Sequence, residues 1–171
     1  MNYTTESLCI DHILQINRMI GDELYDGGKY RITHVIPSGY KNPYIHPEFI
    51  SKRLEILIKF WNNYFSTVKD SFETCLKLAT IFFCEFLRIH PFINGNGRTV
   101  RLIMQWMLRD VCFIPFSIYS PQHVPYSFQK LPFKICHTYL EILQNPQMYD
   151  VLVTYILSAY HYSSKTLQYL L

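Results

Sequence analysis

The 171-residue sequence predicts one mainly α domain, a helical bundle around a central buried helix, with a small β-hairpin flap. Three observations carry this. Apolar residues recur at helical spacing in most segments. The segment from Ser71 to Ile89 is apolar on nearly all sides, as a helix enclosed by others must be. Only Lys29–Ile36 is β-rich and roughly alternating.

Leu8, Ile13, Leu14, Ile16 and Ile20 place a helix over about Ser7–Ile20, and Gly21 ends it. Asp26-Gly27-Gly28 is a turn signal leading into the β-rich segment, which closes at Pro37-Ser38-Gly39. Pro43 and Pro47 mark the entry to a helix over about Glu48–Phe65, with Ile50, Leu54, Leu57, Ile58 and Trp61 as its stripe. The central helix comes next over Ser71–Ile89, then a helix over Arg98–Arg109. A passage holding Pro115, Pro121, Pro125 and Pro132 surrounds a helix near Tyr126–Leu143, and a last helix covers Gln147–Tyr160. Trp61 and Trp106 sit on apolar stripes and read as core. Nothing resembles a linker or a repeat, so residues 1–171 read as a single domain.

Composition excludes several function classes. A net charge of +3, without any run of five like charges, gives no electrostatic footprint for nucleic acid. Cys9, Cys75, Cys84, Cys112 and Cys136 are odd in number and lack a Cys-x-x-Cys pair, which argues for thiols in a reducing compartment. His12, His34, His46, His123, His137 and His161 show no metal-ligand spacing. No uncharged run approaches the roughly 18 residues that a membrane span needs. No signal peptide is visible, so a soluble, cytoplasmic protein is expected, or one in a host cytosol if it is a translocated effector.

The chemistry concentrates in His90-Pro91-Phe92-Ile93-Asn94-Gly95-Asn96-Gly97-Arg98, closed by Arg101. Two glycines flanking Asn96 before a helix let backbone N–H groups and the helix dipole converge on an anion. Arg98 and Arg101, three residues apart, share one side of that helix. His90 stands at the opposite lip, placed to take a proton from an incoming nucleophile. Phe92 should point inward and pin the loop. A lone Gly-x-Gly or a lone His would say little; the combination says more.

Residues 90–101 resemble the motif of the Fic (filamentation induced by cAMP) family, His-x-Phe-x-Asp/Glu-Gly-Asn-Gly-Arg-x-x-Arg, at seven of its eight specified positions. Gly28-Lys29-Tyr30-Arg31 with the β-rich segment looks like the family's flap, and Tyr44-Ile45-His46-Pro47 is similar to the family's segment between flap and helix. The resemblance spans about residues 8–143. It implies the Fic fold and protein adenylyltransferase activity (AMPylation), with AMP moved from ATP to a Ser, Thr or Tyr hydroxyl of a target protein. It further implies His90 as general base and the amides around Gly95, Asn96 and Gly97 on the α-phosphate. Arg98 and Arg101 would take the outer phosphates, and Tyr126 would lie near the nucleotide base. Thr33, His34, Val35, Pro37, Ser38, Gly39 and Tyr40 would form the flap that docks the target by strand addition.

Two departures qualify this. Asn94 stands where the family has the carboxylate that binds Mg²⁺ or Mn²⁺, leaving an amide oxygen without the charge. Three readings stay open: a weakly held cation with transfer, little metal help or another phosphate-containing donor, and a nucleotide-binding regulator without turnover. The family's inhibitory pattern, Ser/Thr-x-x-x-Glu-Gly/Asn, is also absent. That leaves an unrestrained enzyme, one held by a separate inhibitory protein, or a fragment. Oligomeric state is left open.

Overall fold

The computed structural model describes residues 7–21, 27–36, 43–112 and 147–168. The expected helix at 126–143, the Pro-rich passage around it and residues 37–42 lie outside these residues. The described elements are α1 (Ile10–Ile20), a 3₁₀ turn (Pro47–Phe49), α2 (Ile50–Val68), α3 (Phe72–Ile89), α4 (Asn96–Leu108) and α5 (Gln147–Gln168).

α3 is the hub, packing against α2, α4 and α5, while α1 lies on α4 and touches α2. Its sequence demands this position: Leu76, Ala79, Phe82, Phe83, Phe86 and Ile89 point in several directions, and all are buried. Burying a side chain of this size contributes roughly 1.5–3 kcal/mol, so the helix is stable only with neighbours around it. Ser71 caps it, its hydroxyl accepting from the Thr74 N–H at 3.3 Å.

Helix ends differ from the expected ones for local reasons. α1 begins at Ile10 because Leu8 is strapped to α2. Asn62 accepts from the Leu8 N–H at 3.1 Å and donates to its carbonyl at 2.9 Å. α4 begins two residues early, since Gly95 adopts the left-handed conformation (φ 80°) and turns the chain into the helix sooner. α2 and α5 run on to Val68 and Gln168, with Thr67, Ser158 and Ser163 hydroxyls bonded back to carbonyls of their own helix.

One expectation is not confirmed and one is corrected. The β-hairpin flap is not present as strands among the described residues. The segment 29–36 spends its donors elsewhere: the Arg31 N–H goes to the Pro91 carbonyl at 2.9 Å. One bond, Tyr44 N–H to the Val35 carbonyl at 2.9 Å, joins its two sides. Trp61 is core, but Trp106 is only half-buried, with the Arg109 guanidinium 4.2 Å above its ring.

Candidate functional site

The loop from His90 to Gly95 joins the C-terminus of α3 to the N-terminus of α4. Phe92 pins it, buried against Tyr30 and Phe86. The Asn96 side chain closes it from inside, accepting from the Phe92 N–H at 2.9 Å and donating to the Phe92 carbonyl at 2.7 Å. Asn96 is therefore a structural clasp through its side chain; only its backbone faces the helix start.

Asn17 of α1 is a second brace. Its Nδ2 donates to the Asn94 carbonyl at 3.2 Å and to Thr99 Oγ1 at 3.0 Å, while its Oδ1 accepts from the Gly28 N–H at 2.8 Å. One buried amide thus holds the turn before the flap, the loop and α4 together. Its signal in the sequence is a polar residue on the apolar stripe of α1.

The N-terminus of α4 leaves its first backbone N–H groups without a side-chain partner from the cap. No side chain caps it, because its cap residue is glycine, and its first turn holds no acid. A Cβ at Gly97 would lie 3.3 Å from Arg101 Nη1, and one at Gly95 would lie 4.0 Å from Arg98 Nη2. Both guanidiniums therefore fold back over the first turn. Amide dipoles and two cationic side chains thus lie at one helix end, a combination that suits an anion.

His90 has the one positive φ among the described non-glycine residues (φ 50°, ψ 60°). A left-handed non-glycine residue costs about 1–2 kcal/mol, so surrounding bonds must impose it. Its N–H donates to the Phe86 carbonyl at 2.9 Å. Its carbonyl accepts from Arg31 Nε at 2.7 Å. Its imidazole stacks on the Tyr44 ring, with centroids 3.9 Å apart and planes 8° from parallel.

Arg31 is 2% exposed and donates to four carbonyls: His90, Ile89 (3.3 Å), Thr33 (2.9 Å) and Ile45 (2.6 Å). The end of the α3 dipole supplies part of its counter-charge. Burial pushes the guanidinium below its usual range, with Tyr44 acting in the other direction. Its role is not legible in the sequence, where it registers only as the end of Gly28-Lys29-Tyr30-Arg31.

Asn94 is exposed, and its Oδ1 accepts from the Gly95 N–H at 2.7 Å. Toward Mg²⁺ or Mn²⁺ the loop offers one amide oxygen, which already accepts one hydrogen bond, and no carboxylate, a weaker donor set than these hard cations usually take. Nor do the described residues gather three His, Cys, Asp or Glu side chains at one point. Of the expected flap residues, Thr33 and His34 are exposed and Val35 half-buried. His34 packs edge-on against His46, 4.5 Å between centroids. Pro37, Ser38, Gly39, Tyr40 and Tyr126 lie outside the described residues. No described helix is long and apolar enough to cross a membrane.

Residues 7–108 match the model of the Fic/DOC family. A Nematostella vectensis protein named protein adenylyltransferase Fic is 29% identical over 127 residues, which is 72% of this chain and 28% of that protein. The Caenorhabditis elegans protein adenylyltransferase fic-1 is 26% identical over 112 residues, 64% of this chain and 21% of that one. The chain thus spans about a quarter of the length of these curated relatives. Among solved structures, the Bartonella tribocorum effector BepC, crystallised with AMPPNP, superposes with a TM-score of 0.59 at 17% identity, covering 85% of this chain and 72% of BepC. C. elegans Fic-1 gives 0.57 at 23%, covering 96% of this chain and 43% of that one. At these identities the superpositions establish the fold.

Proposed function

Because the chain belongs to the Fic/DOC family, we propose that it is a protein adenylyltransferase, moving AMP from ATP to a Ser, Thr or Tyr hydroxyl of a target protein. The observation that carries this is the start of α4: an uncapped, acid-free first turn with Arg98 and Arg101 folded over it, one short loop away from His90.

That geometry suggests a role for each group. His90 accepts the proton of the target hydroxyl as its oxygen bonds to the α-phosphorus and the bond to pyrophosphate breaks. The N–H groups of Gly95, Asn96 and Gly97 hold the transferred phosphate, and Arg98 and Arg101 hold the departing pyrophosphate. Tyr126 would stack near the base. The flap, with Thr33, His34 and Val35 on its described side, docks the target segment by strand addition. Catalysis of this kind is positioning and electrostatics, which the braced loop supplies. No step here runs through a cation.

Incubation with α-labelled ATP, divalent cation and cell lysate tests the proposal. Label should appear on a protein and vanish with His90→Ala. ATP binding without transfer would sink it and favour a second reading, a nucleotide-binding regulator, toward which the engaged amide of Asn94 leans. A different donor, another nucleotide or a phosphocholine carrier, would show as a different mass increment on the target.

A further inference from the structure

We propose that Arg31 and Tyr44 are positioning residues for His90, so that flap base and general base move as one unit. This rests on the reading of His90 as the base. Arg31 holds the base's backbone: its Nε bonds the His90 carbonyl, and its Nη2 bonds both the Ile89 and Ile45 carbonyls. Its own N–H bonds the Pro91 carbonyl on the far side of His90. The backbone on both sides of the left-handed residue is thereby tied to one residue. Tyr44 holds the imidazole face, and it is itself placed by the Ile45 carbonyl in the guanidinium fork and by its N–H on Val35. The Thr33 and Val35 carbonyls, the flap atoms in these bonds, lie where the target is proposed to dock. Target docking and base alignment therefore share one set of hydrogen bonds.

A lysine cannot replace this arginine. Its single ammonium lacks the planar fork that reaches carbonyls on diverging segments. Displacing the base by about an ångström can cost on the order of 10²-fold in rate, while nucleotide contacts at α4 stay intact.

The full-length chain carrying Arg31→Lys, Arg31→Met, Tyr44→Phe or Tyr44→Ala provides the test, by steady-state transfer and by NMR of the His90 ring protons, assigned through His90→Gln. Arg31→Lys should cut kcat on the order of 10²-fold at unchanged KM for ATP, in a chain that remains folded. Tyr44→Ala should move the His90 ring resonances downfield as the stacked ring is lost, and Tyr44→Phe, which keeps the ring, should leave that shift in place. Equal losses in kcat and in folded fraction, or His90 resonances indifferent to Tyr44, would overturn the proposal. Resonances that respond in a chain without transferase activity would uphold the clamp and remove the adenylyltransferase reading instead.

Discussion

Asn94 shows how one side chain changes what a loop asks for. Its Oδ1 is turned onto the Gly95 N–H, so it shapes the loop in place of reaching outward. Asn94→Asp keeps that acceptor and adds a charge. Transfer should rise and become steeply dependent on Mg²⁺ or Mn²⁺, as read by labelling against metal concentration; unchanged activity would mean that the position is no metal ligand. Gly95 is constrained twice, by φ 80° and by Asn17 Nδ2 lying 3.1 Å from where a Cβ would stand. Gly95→Ala should cost about 1–2 kcal/mol or more in urea unfolding. Removing three bonds at once, Asn17→Ala should destabilise on the order of 1–3 kcal/mol and weaken ATP binding measured by calorimetry.

The helices were legible because each is a stripe or, in α3, a surround of apolar residues. Ser71 showed where α3 starts. Its replacement by Ala should lower stability by about 1 kcal/mol in thermal denaturation, the usual worth of such a cap. The placement of Gly95, Gly97, Arg98 and Arg101 at the start of one helix was legible too, since it follows from spacing along the chain. The flap was not. Alternation in 29–36 resembles a strand, but whether a segment pairs with a strand depends on what its N–H groups meet. Here Arg31 meets Pro91, sixty residues on, and a loop rather than a ladder results. Periodicity cannot see a bond of that span, nor the fork of Arg31 or the stack of Tyr44 on His90.

At the scale of the whole molecule, burial leaves an alkaline signature. Tyr30 is pushed up to about 12 by burial, then by Glu55 and Asp11, and Cys112 to about 11 by burial and Cys75. The folded state holds both protons more tightly than the unfolded chain does. Their contribution is whole below the ordinary values of 9.0 and 10.0 and is lost as pH climbs toward 11 and 12. Urea midpoints should therefore fall between pH 9 and 12, and Tyr30→Phe should flatten the upper part of that fall. The brace from α1 has a consequence for assembly. Asn17 lies 77 and 82 residues from two of the three groups that it holds, so α2, α3 and α4 can collapse through nearer contacts before the brace can close. The loop from His90 to Gly95 should then be the last part of the core to become rigid during folding and the first to loosen. Native-state hydrogen exchange should report this at the loop amide of Phe92, held by Asn96 Oδ1, opening at lower free energy than the amides of α3.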